Sequence, residues 1–348
     1  MTKSSSSMKR AVVIAGLTLA IAPLMNVQAK MSLSDIRDDL TFGIDGEINT
    51  NAGYSSSSHE NANLDDSFVS LSAQWRDKVK VVVSAKIQEF LKNNNVQFND
   101  DFEFAEFIRE AYIEIREVAG SPVAVIIGKQ PMAFGQNVQL MPVFNNNPMS
   151  NLQEIDEVFG FTVDLTEGLF GLFDRVELSV FESKRGDLEI GTIDGASVRV
   201  SKMLTDQWLL TLSHAEIGNT DIGGEHERRT SVGLIGETTD GYVVGWAEAM
   251  YFTNNPKYQN SNFGLTGGIM VRVHETTNVV VEGTWISKEL YEVALGANVA
   301  LTENMTFGPE IRYRNSETNG SEVIFGVNVR YTFGNTGTPR NEDYLFDD

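Results

Sequence analysis

The sequence predicts an all-β fold, a transmembrane antiparallel β-barrel of about sixteen strands with short periplasmic turns and long extracellular loops. Three observations predict it. From Leu40 nearly to the C-terminus, segments alternate one apolar residue with one polar or small residue. That is the period of a strand whose two faces meet different surroundings. Short and long connections take turns between these segments, and an export signal stands in front of them.

The export signal comes first in the chain. Lys9 and Arg10 form a basic patch, Ala11 to Leu24 is mostly apolar, and Val27 with Ala29 gives a small-x-small cleavage pattern. Residues 1–29 are therefore read as a signal peptide, with Met8 as an alternative start. Residues 30–38 make a short polar lead-in in the periplasm, 39–334 the barrel, and 335–348 a polar tail.

Strands are expected at 39–49, 66–75, 78–88, 108–117, 122–130, 157–165, 173–182, 195–203, 207–215, 228–237, 241–252, 261–273, 277–286, 290–300, 304–314 and 322–333. The last shows the pattern best. Val323, Phe325, Val327, Val329, Tyr331 and Phe333 share one face, and Gly326, Asn328, Arg330 and Thr332 the other. Tight turns fall at Arg76–Asp77, Ala119–Gly120, Thr166–Gly171, Thr205–Asp206, Thr238–Asp240, Thr276 and Thr302–Glu303. Longer links at 50–65, 89–107, 131–156, 183–194, 216–227, 253–260 and 315–321 alternate with them, and 287–289 alone breaks the size rule. Such alternation means antiparallel hairpins, with every tight turn at one end. Trp75, Trp208, Tyr242, Tyr251, Trp285, Tyr291, Tyr313, Tyr331 and Phe333 near the strand ends are candidates for two interfacial girdles.

Composition narrows the function. There is no cysteine, so neither a disulfide nor a thiol nucleophile is available. The formal charge is −21. A chain this acidic is a poor partner for nucleic acid. The signal carries Lys3, Lys9 and Arg10 and no acid, so the rest is more acidic still. The surplus falls in expected loops and the tail, at Asp65, Asp66, Asp100, Asp101, Glu103, Glu106, Glu342, Asp343, Asp347 and Asp348. Simple solvation there outweighs a metal site, since Asp100-Asp-Phe-Glu-Phe lacks calcium-loop spacing.

Three stretches carry a family likeness: Glu110-Ala-Tyr-Ile-Glu114, Ile126-Ile-Gly-Lys-Gln130 and Pro131-Met-Ala-Phe-Gly135. With them the chain resembles the bacterial outer-membrane porins, and within these the sixteen-stranded phosphate-selective and siderophore group. The opening strand Thr41 to Glu47 and the closing strand Val329 to Phe333 also look porin-like. The resemblance implies a Gram-negative outer-membrane location, a homotrimer, and a third long loop folded into the lumen. It also implies contact with outer-membrane lipid and lipopolysaccharide and recognition by the barrel-assembly machinery. Porins usually end on the last strand's aromatic, whereas here Phe333 is followed by Gly334 to Asp348. No dense basic cluster occupies 131–156, where strongly phosphate-selective members would concentrate charge.

Parity sorts the wall charges. Lys78, Lys80, Lys86, Arg116, Arg175, Arg199, Arg272, Arg312 and Arg330 fall on the lumen side. So do Asp45, Glu47, Glu110, Glu114, Asp164, Glu177, Glu248, Glu282, Glu292 and Glu310. Such a nearly balanced lumen sets up a transverse field that admits small hydrophilic solutes. The three lysines would form an anion ladder, or pair with Glu110 and Glu114 and brace the wall. Gln136, Asn137, Gln139, Asn145, Asn146 and Asn147, with Glu154 and Asp156 at its exit, make 131–156 the candidate constriction. Amide-rich loops of this kind bind sugars or chelates and also occur as ordinary turns. Outward-parity Gly245, Ala247 and Ala249 offer a packing patch for a neighbouring copy.

Enzyme chemistry is not expected. His59 and His226 lie in expected loops, His274 at a turn, and His214 beside Ser213 on the opposite face of a strand. The expected function is thus passive diffusion of small hydrophilic solutes and ions through a porin, with no cofactor and no metal. The alternatives are a channel selective for an anion such as phosphate or for a siderophore chelate, and a non-conducting barrel with an adhesion or hydrolase role.

Overall fold

The computed structural model describes residues 39–56, 61–64, 67–87, 107–136, 147–153, 155, 157–166, 172–183, 193–218, 226–318 and 320–334. The expected signal peptide, most of the lead-in and the tail lie outside the described residues.

Among the described residues, seventeen strand segments form one closed antiparallel sheet. They are β1 Leu40–Ser55, β2 Asn61–Leu64, β3 Phe68–Trp75, β4 Val79–Lys86, β5 Ile108–Ile115, β6 Val123–Gln130, β7 Val158–Leu165, β8 Arg175–Phe181 and β9 Gly195–Thr205. Then come β10 Trp208–Ile217, β11 Glu227–Glu237, β12 Val243–Thr253, β13 Phe263–His274, β14 Thr277–Ile286, β15 Leu290–Thr302, β16 Met305–Ser316 and β17 Gly320–Gly334. β2 and β3 are two pieces of one strand, since both pair with β1, so the wall has sixteen strands. Each strand pairs with its sequence neighbours, and β17 returns to β1 in a ladder from Asp45–Gly334 to Ser55–Ile324. One short helix, α1 Ser150–Gln153, interrupts the connection between β6 and β7.

Period-2 alternation explains the two faces. On β14, Val281 and Trp285 are exposed while Val280, Glu282, Thr284 and Ile286 are buried. On β17, Phe325, Val327 and Tyr331 are exposed. The outer surface is therefore an apolar belt, and most polar side chains point inward. A soluble protein would bury that belt; a barrel in lipid presents it. Aromatics ring the belt twice. Trp208, Tyr242 and Tyr331 stand near the tight-turn rim, and Tyr54, Tyr251, Trp285, Tyr291 and Tyr313 near the long-loop rim, all exposed. There the Tyr291 hydroxyl donates to Tyr313, 3.3 Å away, and Tyr313 donates to Ser321 at 3.1 Å.

Two connections differ from the sequence reading. β1 runs on to Ser55 and pairs with Asn61–Leu64, so much of the expected 50–65 loop is a strand extension. The 315–321 link tightens to the short turn between Ser316 and Gly320, because those two residues pair directly and Gly320 takes φ +71°. The wall is also uneven: β3 to β8 have seven or eight residues each, and β9 to β17 have ten or more.

A one-residue slip would turn every wall side chain around. In the membrane-inserted protein, Lys80→Cys and Arg330→Cys should react with a membrane-impermeant thiol reagent, and Val81→Cys and Val329→Cys should not. The opposite labelling pattern would put the register off by one.

Candidate functional site

The site is built where the β6–β7 connection enters the barrel. Gly128 near the end of β6 has φ +134°, and a Cβ there would stand 2.2 Å from the Ala111 carbonyl oxygen. Only glycine fits. The next residue, Lys129, is fully buried; its Nζ donates to the Ile108 carbonyl at 2.6 Å and lies 3.7 Å from Glu157. Lys86 on β4 also pairs with Glu157, which has φ +59° at the loop's exit. The backbone N–H of Met132 donates to Ile155, tying the two limbs together at 2.9 Å. The porin-like stretch from Ile126 to Gly135 is therefore the hinge of the loop.

From this hinge the chain crosses to the far wall. Gly135 adopts φ +63° and lies against Glu248 on β12; a Cβ there would be 3.0 Å from Oε1. The backbone N–H of Gln136 reaches both Glu248 oxygens at 3.2 Å, and the Gln153 amide donates to the same carboxylate. Asn147 donates to Glu282 on β14 and, at 3.3 Å, to Thr266 on β13. Thr284 donates back to Asn147 Oδ1 at 3.2 Å. Arg229 on β11, gripped by Glu227 at 2.8 Å, donates to the Leu152 carbonyl at 2.7 Å. The Tyr258 hydroxyl donates to the Pro148 carbonyl at 3.0 Å. Burial pushes this phenol up to about 12, so it remains a donor at physiological pH.

Apolar packing seats the same loop. Met132, Phe134, Met149, Leu152 and Ile155 are buried with Phe181, Met250, Phe252, Tyr258 and Ile286 of the wall and its connections. Missing side chains make the room: a Cβ at Gly160 would meet Met132 at 2.8 Å, and one at Gly264 would meet Met149 at 2.6 Å.

The remaining wall charges pair among themselves. Arg175 on β8 meets Asp164 at 2.7 Å and Glu177 at 3.1 Å, and Arg199 on β9 also meets Glu177. On the other side of the ring, Arg312 on β16 meets Glu292 at 2.9 Å and Glu310 at 3.2 Å. Arg314 joins the same Glu292 at 2.6 Å. Arg330 meets Glu47 at 3.2 Å across the β1–β17 seam. The lysine pairing differs from the sequence reading. Lys78 meets Glu117 at 3.1 Å and Lys86 meets Glu157, while Glu114 takes Arg116 at 2.8 Å and Glu110 lies 3.8 Å from Arg109. Lys80 stands opposite Glu114 in register, and Arg272 is exposed at the tight-turn end of β13.

Of the expected constriction residues, Gln136 is buried at the loop seat, and Asn137, Gln139, Asn145, Glu154 and Asp156 lie outside the described residues. Sequence reasoning missed Lys129, Glu157, Arg229, Gln153, Tyr258 and Arg314 as contributors. Parity would have found Arg314, which sits two residues from the lumen-parity Arg312. His214 donates to or accepts from Thr230 at 2.8 Å on the exposed face, away from buried Ser213.

No family model matches the sequence, and no curated protein matches it either. Solved structures do match. The anion-selective porin from Comamonas acidovorans aligns at TM-score 0.58 and 13% identity, over 84% of this chain and 100% of that one. The outer-membrane channel DcaP of Acinetobacter baumannii aligns at TM-score 0.59 and 10% identity, over 88% and 100%. This chain has the fold of the outer-membrane porins. OmpT of Vibrio cholerae, an outer-membrane protein solved in a trimer form, aligns at TM-score 0.57 and 12% identity, over 85% and 100%.

Two substitutions probe the loop. Gly128→Ala should add about 1–3 kcal/mol of backbone strain besides the clash at Ala111. It should lower the fraction of protein showing the folded barrel's shifted migration on unheated gels. Glu248→Ala leaves the Gln136 N–H and the Gln153 amide without their acceptor, at about 1–3 kcal/mol each. The folded barrel should persist, with larger and noisier single-channel currents; unchanged currents would remove Glu248 from the latch.

Proposed function

We propose that the protein is an outer-membrane porin of a Gram-negative bacterium, passing small hydrophilic solutes and ions passively through a lumen narrowed by residues 131–156. One observation carries the reading: a closed barrel, apolar outside, whose polar interior is crossed by a segment fastened to the opposite wall. A merely structural or adhesive barrel has no need of that crossing.

The pairing of wall charges supports weak ion selectivity. Lys80, Arg116, Arg175, Arg199, Arg312 and Arg330 are proposed as pore-lining, and all but Lys80 face a carboxylate within hydrogen-bonding or ion-pair distance. Charges neutralised at contact leave a short-ranged field in the lumen. A specific observation favours a slight anion preference as the second reading. Lys86, Arg109 and Lys129 gather near the long-loop rim against Glu110 and Glu157, one positive charge in excess, with Arg109 stacked 4.7 Å above Phe68.

A homotrimer is part of the proposal. An eight-residue strand rises about 19 Å at the usual tilt, short of a band about 25 Å tall. The low wall β4–β8 therefore suits a protein neighbour better than lipid. Gly245, Ala247 and Ala249 lie on β12, in the tall wall, and suit lipid contact instead.

Single-channel recording in planar bilayers, with reversal potential in a salt gradient, tests the function. We expect large steady conductance and a permeability ratio near one, tilted toward anions. Strong anion selectivity with block by phosphate would establish the selective channel instead, and silence would sink both. Unheated, detergent-extracted protein should migrate at about three barrel masses; a monomer-sized species would remove the trimer.

A further inference from the structure

The loop seat leaves polar atoms unmatched. Gln136 is 2% exposed, and neither Oε1 nor Nε2 has a hydrogen-bond partner. Its carboxamide lies over Gly233 on β11, where a Cβ would stand 2.6 Å from Oε1. Register surrounds this notch with inward polar groups. Thr211 is opposite Gly233 on one side and Glu248 on the other, while Ser213 and Ser231 face each other one rung away. The hydroxyl of buried Ser213 has no partner, nor has that of Ser197 on β9. Some buried hydroxyls elsewhere on the wall are matched, Thr162 with Ser179 at 2.9 Å and Thr266 with Thr284 at 3.0 Å, while Ser84 on β4 is not. What sets the ground under Gln136 apart is that an unmatched carboxamide and an unmatched hydroxyl, that of Ser213, lie within a rung of each other.

Buried polar groups in native proteins find partners, and a set that lacks them marks a place for water or a ligand. The chemistry of the set selects the ligand. Its members are hydroxyls, a carboxamide and one carboxylate, each suited to a group that both donates and accepts. The nearby cations are committed, Arg199 to Glu177 and Arg229 to Glu227 and the Leu152 carbonyl. An anion finds nothing to pair with here, whereas vicinal hydroxyls do.

Building on the channel reading above, we propose that the seam between Gln136 and the inner faces of β10–β12 is a subsite for neutral polyhydroxylated solutes of the sugar class. The solute takes the place of the Gln136 carboxamide over Gly233 and hydrogen-bonds Ser213, Gln136 and Glu248. The loop amide thus acts as a stand-in that fills the notch without satisfying it.

The test uses raffinose on the folded full-length protein, by titration calorimetry in detergent and by single-channel recording. Wild-type protein should bind raffinose with measurable heat and show concentration-dependent interruptions of the current. Gln136→Leu and Ser213→Ala should each weaken binding by about fivefold, the worth of one hydrogen bond, and Ser213→Ala should keep the salt conductance. Ser72→Ala, on inward parity of β3, should bind as wild type. If Gln136→Leu does not fold, Ser213→Ala carries the comparison. No heat, with currents falling only as the bulk conductivity falls, would overturn the subsite and leave the channel standing. Binding by a silent barrel would keep the subsite and overturn the channel. Equal affinity in wild type and both variants would overturn the assignment.

Discussion

Everything in this molecule depends on the rule that a backbone amide in hydrocarbon must be bonded within the protein. A sheet meets it only by closing, and here the first strand meets the last through the ladder from Asp45–Gly334 to Ser55–Ile324. Once the backbone is satisfied by closure, side chains are free to differ completely on the two faces. That freedom allows Val281 and Glu282 to be neighbours in sequence and to face lipid and lumen. It also explains why stability needs neither cysteine nor a compact central core.

A segment inside the barrel faces a second form of the same rule, because its own peptide groups leave bulk water. The described residues of the β6–β7 connection meet it with carboxylates of the far wall. Glu248 and Glu282 accept from a backbone N–H and two side-chain amides, while Arg229 and Tyr258 donate to loop carbonyls. These wall groups are thereby spent on holding the loop. The arginines of β8, β9 and β16 are likewise engaged by Asp164, Glu177 and Glu292. Most lumen charge thus does mechanical rather than ionic work.

The strands were legible because the two-residue period is local and strong. Every one of the sixteen was placed within a few residues except the first two, whose 50–55 and 61–64 stretches read as part of a loop by composition. They are strand because they pair with each other and β17 offers the first partners as far as Ile324. The alternation of faces was legible for the same reason: Glu114, Glu282, Glu292 and Arg312 all fall on the buried parity. Pairing was not. Lys86 finds Glu157 across a long connection, and Arg109 comes to lie over Phe68 next to a register shift between β4 and β5. Neither follows from neighbouring residues. The far-wall latch was invisible for a deeper reason: nothing in the sequence near Gln136 refers to Glu248, more than a hundred residues on.

The loop's two limbs are fixed separately, 132–136 by Glu248 and the hinge, 147–155 by Glu282, Arg229 and Tyr258. Each limb therefore keeps its own hydrogen bonds when the other is altered. Natural drift and deliberate redesign have the same opening: one mooring can change while the second still holds, so a new arrangement can be tried before stability is put at risk.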